Sequence, residues 1–305
     1  MRIIFYMLIF IVCSCHADKK QYEYIEKNQA FRSSVKSGNF LEVSNGFTYY
    51  EYSDNRKKQT IVLVHGFSVP SYIWDVTYKE AINRKYNVLR MDLFGRGNSD
   101  NPDAIYNNNL FANQVIELMD SLQIKDNVIL IGLSNGGGVA SQVANNAPQK
   151  IKEIIYVSSS GFRDLTNLDD RKEVTDKEIE DFISKKYTTL ARDQLEDFYD
   201  PTKFEGWDTK YEELLKYKGF AKALLSTARN RVSLDLIHIK IRKSNIKTSA
   251  IWGADDSIVP FKVVEDRIKL LLPNMKNYIL EECGHLPHME QEEKFNDLLF
   301  NQILK

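Results

Sequence analysis

Cysteine is nearly absent from the body of this 305-residue chain: Cys13 and Cys15 stand at the extreme N-terminus, and Cys283 stands alone near the other end. That excludes a disulfide framework. Proline is scarce too, with seven in all and no Pro- or Ser-rich tract, so no long internal linker is expected, and no low-complexity segment or repeat occurs. Charge of one sign is missing as well, since 41 Lys and Arg against 42 Asp and Glu leave a formal net charge of −1. Such a balance gives no electrostatic reason to expect nucleic acid or an anionic membrane surface as partner. What remains, 43% hydrophobic and 27% charged residues, describes a globular chain with room for a sizeable core.

The apolar run from Ile3 to Val12 falls short of the roughly 20 residues that span a bilayer. With Arg2 before it and small residues after it, it fits the hydrophobic region of a secretory signal cleaved after Ala17. A second reading is a bacterial lipoprotein signal, in which Cys15 becomes an acylated first residue and attaches the chain to a membrane. Cys13 stands there at a position that usually holds a smaller or aliphatic residue. An N-terminal element of the fold is the remaining alternative. Under either signal reading the chain is exported: periplasmic, secreted or lipid-anchored. Residues 18–39 are polar and read as a tether or an ordered arm.

From there on the pattern is regular. "NFLEVSNGFTYYEYSD" reads as two strands around the turn Ser44-Asn45-Gly46. The segments "QTIVLVHGF", "YNVLRMDLFGRG", "NVILIGLS", "IKEIIYVSSS", "IKTSAIWGADD" and "KNYILEECGH" read as short buried strands. Helical stretches near 72–84, 109–122, 135–147, 261–272 and 288–304 lie between or after them. Buried strands alternating with amphipathic helices predict an α/β fold with a mostly parallel sheet, whose ligands bind at the carboxyl ends of the strands. From 161 to about 235 the alternation stops, and helix formers rich in aromatics predict a helical insertion. Most of its rings (Phe182, Tyr187, Phe198, Tyr199, Phe204, Trp207, Tyr211, Phe220) should pack on one another, with two or three facing a cavity.

Glycine is spent sparingly, 14 in all, yet Gly136, Gly137 and Gly138 are consecutive. They come after Ser134 in "GLSNGGG", a G-x-S-x-G pattern after a strand and before a helix, which is the context of a nucleophile elbow. A serine hydroxyl needs a base. Of five histidines, His16 is in the leader, His65 is in a glycine turn where a structural role is expected, and His238 closes the insertion. His285, on a loop tip after the last strand, is a better base than His288, which begins the final helix. A metal reading of His285, His288 and Glu290 matches no trusted spacing. The orienting acid is Asp255 or Asp256, and Asp256, deeper in the loop before Pro260, is favoured. Backbone N–H groups of Asn135 and Phe67 would form the oxyanion hole. No phosphate cradle or dinucleotide fingerprint occurs, so no cofactor is expected.

In this order and spacing, "VHGF", "MDLFGRGNSD", "GLSNGG", "WGADDSIVP" and "CGHLPHME" resemble the α/β-hydrolase superfamily. More narrowly, they resemble its single-domain branch with a helical cap: esterases, monoacylglycerol-type lipases and carbon–carbon bond hydrolases. The resemblance covers about residues 40 to 305. It implies an eight-stranded-type sheet with helices on both faces, a core of 40–160 and 236–305, and a cap of 161–235. It also implies Ser134 as nucleophile, Asp256 as the acid after W-G-x-x-D, His285 as base, and Asp92 and Arg96 as braces of the loops. Relatives that dehalogenate or open epoxides carry Asp at the elbow, so Ser134 argues against both.

Three functions compete. The first is hydrolysis of a small or lipid-like carboxylic ester through an acyl-enzyme, with the cap sheltering an apolar acyl group. The second is carbon–carbon hydrolysis of the meta-cleavage type by the same triad. "HGFSVPSYIW" lacks the glycine-rich loop common there. The third, a binding protein on this scaffold, is disfavoured because neither Ser134 nor His285 is lost.

Overall fold

A computed structural model describes residues 21–55, 59–125, 127–165 and 173–305. The expected leader and Cys15 lie outside the described residues, among which no helix is long and apolar enough to cross a membrane. The chain forms one eight-stranded sheet from β1 (Asn39–Val43), β2 (Gly46–Ser53), β3 (Thr60–Val64), β4 (Asn87–Met91), β5 (Val128–Leu133), β6 (Ile151–Val157), β7 (Lys247–Gly253) and β8 (Lys276–Leu280). Their order is β1-β2-β4-β3-β5-β6-β7-β8. β1 and β2 make the expected hairpin, with Val43 opposite Gly46, and β2 runs antiparallel to β4. The other pairs are parallel, so β3 to β8 all end at the same edge.

Side-chain alternation explains why the central strands read as continuous apolar runs. Val62, Val64, Leu89, Leu130 and Ile154 face one layer of helices, while Ile61, Leu63, Val88, Ile129 and Ile155 face the other. Both sets are buried. Each such side chain contributes about 1.5–3 kcal/mol, so a polar residue at any of these ten positions would be costly. Helix starts are also written locally. Asn107 Oδ1 accepts the N–H of Leu110 at 2.9 Å and caps the helix Asn108–Ser121. Thr175 and Glu178 form a capping box at the head of the helix Asp176–Asp193.

The expected final helix, 288–304, is broken into Pro287–Glu290, Glu292–Asp297 and a wide turn at Leu298–Ile303. Gln291, at φ −124° and ψ 51°, leaves the helical region, and its side chain donates to Glu281 and Glu282 carbonyls. Apolar periodicity continues across the break, which is why the pattern hides it.

Between β6 and β7 the chain builds helices only, among the described residues. The N-terminal arm straps this insertion to the rest. Ile25 pairs with Tyr217, and Glu23 accepts from the Tyr187 hydroxyl and from the N–H groups of Gly219 and Ala221 at 2.8 and 2.7 Å. Lys27 Nζ reaches the Ser99 carbonyl and Asn101 Oδ1, at 2.6 and 2.7 Å, and burial pushes its pKa down to about 7. Glu23→Ala would orphan three donors at once. It should lower the unfolding free energy by about 2–3 kcal/mol. A urea midpoint equal to wild type would refute this role for the arm.

Candidate active site

Ser134 follows β5 directly, in a conformation that few side chains tolerate, with φ 51° and ψ −115°. Such backbone costs roughly 1–3 kcal/mol and persists only where surroundings enforce it. Here its N–H donates to the Val157 carbonyl at 2.8 Å, and its carbonyl accepts from Gly137 and Ser160 at 3.1 Å. The glycines make the turn possible. A Cβ on Gly136 would lie 2.4 Å from the carbonyl oxygens of both Val64 and His65, and one on Gly132 would lie 2.4 Å from the Gly136 carbonyl. The helix Asn135–Asn146 therefore packs hard against β3 and β5. Ser134 occupies the N-cap position but caps nothing, so its hydroxyl is not consumed by the helix.

Asp256 and His285 meet at the ends of β7 and β8. His285 Nδ1 lies 2.8 Å from Asp256 Oδ2, while Asp256 Oδ1 accepts the N–H groups of Ile258 and Val259, each at 2.8 Å. Burial alone would raise the Asp256 carboxyl, but the His285 hydrogen bond and charge and these two backbone donors hold it below the usual range. Burial would likewise lower His285, yet the Asp256 contact raises it above its ordinary value. Asp255 is exposed and turned away, its N–H held by the Cys283 carbonyl. That resolves which of the two carboxylates faces His285.

With Nδ1 engaged, Nε2 is the nitrogen that His285 has left to offer the cavity it shares with Ser134, a space of about 170 Å³. Gly66, Phe67 and Asn135 line the same cavity. The Phe67 N–H has no acceptor among the described residues, and the Asn135 N–H opens a helix, where no intrahelical acceptor exists. Two donors thus stand beside the serine.

The remaining sequence candidates are structural braces. His65 accepts the Leu93 N–H on Nε2 at 2.8 Å and donates Nδ1 to the Gly66 carbonyl, and burial pushes it down to about 3. Asp92 Oδ1 accepts the Ser71 N–H at 2.8 Å and the Ser71 hydroxyl, and Oδ2 accepts the Asn98 N–H at 2.8 Å. Arg96 donates to the carbonyl of Phe67 at 2.8 Å, fixing the loop behind that residue. His288 is buried against Trp74 and bonds the Ile73 carbonyl, and Glu290 is spent on the N–H groups of Tyr199 and Leu286. His238 lies in a buried cluster with Ser141 and Tyr156. No group of three potential metal ligands occurs among the described residues.

One expectation is overturned. None of the insertion's aromatics named above lines the cavity. Phe198 stacks on Phe204 at 3.9 Å, Trp207 meets Phe198 edge-on, and Tyr211 packs on Phe220. Short helices find their core in one another's rings. The insertion instead sends polar groups to the cavity: Arg163, Gln194, Asp197 and Arg231. No sequence pattern marks these four, except that Gly284 precedes His285. A Cβ there would sit 2.7 Å from the Asp197 carbonyl, which accepts the His285 N–H at 2.7 Å. Burial pushes the Asp197 carboxyl up to about 6.

A strand-to-helix serine, a carboxylate-held histidine and a helical insertion on an eight-stranded sheet define an α/β hydrolase. The family model for the α/β hydrolase fold matches residues 59–292, and the chain belongs to that family. It is 26% identical to an uncharacterized hydrolase, YugF, of Bacillus subtilis, over 82% of this chain and 91% of the relative. It is also 26% identical to Lipase 3 of a Moraxella species, over 79% of this chain and 76% of that one. Among solved structures, an esterase from Exiguobacterium antarcticum superposes with a TM-score of 0.72 at 20% identity, covering 88% of this chain and all of the other. A meta-cleavage product hydrolase of Pseudomonas fluorescens superposes at 0.68 with 21% identity, covering 87% of this chain and 98% of that one.

Proposed function

We propose that the chain is a serine hydrolase that cleaves a carboxylic ester through an acyl-enzyme. The observation that carries this reading is the convergence of Ser134, at its enforced backbone angle, and the Asp256–His285 pair on one cavity. His285 takes the Ser134 proton as the hydroxyl attacks the ester carbonyl. The N–H groups of Phe67 and Asn135 receive the oxyanion, each donor being worth about 2.7–4 kcal/mol in such sites. Collapse releases the alcohol, protonated by His285, and leaves the acyl group on Ser134. Water, deprotonated by the same imidazole, then releases the acid. The test is turnover of 4-nitrophenyl esters together with labelling by a fluorophosphonate. Wild type should react with both and Ser134→Ala with neither, and a folded wild-type protein that reacts with neither removes the reading.

The pH dependence comes from the same pair. His285 must be neutral to act as base, and its pKa is raised, so kcat/KM should rise with pH and reach half its maximum above pH 6.5. Asp197, with its carboxyl at about 6, sits close enough to His285 that its ionisation adds negative charge beside the ring and pushes this limb further up. A pH–rate profile with its midpoint below 6.5 would contradict the geometry.

A further inference from the structure

The arginines that line the cavity, Arg163 and Arg231, make no ion pair among the described residues. Arg231 reaches it from the end of the insertion, mostly buried, and makes neither an ion pair nor a hydrogen bond among the described residues. Its Nε is buried without a partner. Its guanidinium carbon lies 5.1 Å from the centroid of the Phe67 ring. Arg163 lines the same cavity, and its guanidinium donates to the Ile258 carbonyl rather than to an acid. Arg96 lies behind Phe67, 5.6 Å from its ring. The cavity-lining carboxylate, Asp197, pairs with neither Arg163 nor Arg231, and its charge is turned toward His285.

A guanidinium drawn largely out of water, with its Nε buried and unpartnered, is costly to hold without an acid beside it, and proteins ordinarily supply a carboxylate. Repulsion makes the arrangement costlier still, since the charge of Arg163 adds to burial in lowering the Arg231 pKa. The simplest compensation is an anion that arrives with the substrate. A guanidinium offers a planar fork that matches a carboxylate in two parallel hydrogen bonds. The space is also small: about 170 Å³ lies well below the several hundred of a pocket for a large ligand.

We infer that the site takes a short acyl group ending in a free carboxylate, seated on Arg231 and Arg163 while Ser134 attacks the ester at its other end. The preferred substrates are therefore half-esters of small dicarboxylic acids such as succinic or glutaric acid. This inference rests on the ester-hydrolase reading, and the experiment separates the two.

The experiment compares 4-nitrophenyl hemiglutarate with 4-nitrophenyl pentanoate, in wild type, Arg231→Gln, Arg231→Lys and the surface control Lys243→Gln. Wild type should favour the half-ester by tenfold or more in kcat/KM. That ratio should fall to near one in Arg231→Gln and partway in Arg231→Lys, and stay in Lys243→Gln. A ratio near one in wild type, or one that survives Arg231→Gln, overturns the inference and leaves the hydrolase reading standing. A second measurement needs no turnover. Glutarate at millimolar concentration should raise the melting temperature of wild type by a few degrees, and that of Arg231→Gln not at all. Inorganic phosphate at the same ionic strength should do neither. If no ester is cleaved but glutarate still stabilises through Arg231, the anion site stands and the ester reading fails. If glutarate shifts neither protein, or phosphate matches it, the carboxylate site is refuted. Arg231→Gln should fold without loss of stability, because the substitution removes a largely desolvated charge that makes no ion pair among the described residues.

Discussion

Ser134→Ala should lower kcat toward short esters by on the order of 10⁶, leaving only what the oxyanion donors and binding supply, while the folded protein is barely disturbed. The two halves of that expectation come from separate observations. Catalytic loss is expected because Ser134 shares its cavity with His285 and carries the nucleophile of the proposed reaction. Structural tolerance is expected because the hydroxyl makes no hydrogen bond among the described residues and does not cap the helix it precedes. Ser134→Gly sharpens the contrast. The angles φ 51° and ψ −115° mirror an extended conformation, which glycine adopts freely and serine does not. Ser134→Gly should therefore be as inactive as Ser134→Ala, yet more stable than wild type by about 1 kcal/mol, part of the roughly 1–3 kcal/mol held as strain. Thermal or urea unfolding of both variants checks this. A destabilised Ser134→Gly would show that the backbone at the elbow is not strained.

Much of this site is legible in the sequence because its parts are tied to the backbone. Where a parallel strand is buried on both faces it must be apolar, so β3, β5 and the inner runs of β6 and β7 announce themselves, and the residues just past each strand fall on one edge. Ser134 comes directly after β5, Asp256 soon after β7, and His285 soon after the edge strand β8. The glycines between are demanded by backbone approaches too close for any Cβ, as at Gly136 and Gly284. Arg163 and Arg231 have no such marker. Neither sits in a pattern, and an arginine on a helical insertion reads as a solvated face until packing turns it inward. The aromatics mislead for the opposite reason. Rings such as Phe198 and Tyr211 suit an apolar pocket as well as they suit one another, and periodicity cannot tell which neighbour they take. Specificity therefore resides in the part of the chain where local sequence says least.

Asp256→Asn tests whether charge or mere shape is required at the end of β7. The amide is nearly isosteric, but its orientation is not free. The N–H groups of Ile258 and Val259 both point at one oxygen of Asp256, each at 2.8 Å, so the asparagine oxygen must turn to them. Its NH2 then faces His285 Nδ1, where the carboxylate oxygen stood at 2.8 Å. A donor there forces Nδ1 to accept and moves the ring proton to Nε2, the nitrogen that must receive the Ser134 proton. The histidine is held in place as the wrong tautomer. kcat should fall by about 10⁴-fold, as in triads where this exchange leaves geometry intact. Loss of the negative charge also removes what raises the His285 pKa, so its titration should move below that of wild type. Nitrogen NMR of labelled histidine reads the tautomer and the titration in one sample. An Asp256→Asn protein that keeps wild-type activity, or holds its Nδ1 proton, would mean that another group orients His285, and the exposed Asp255 would then have to be tested in its place.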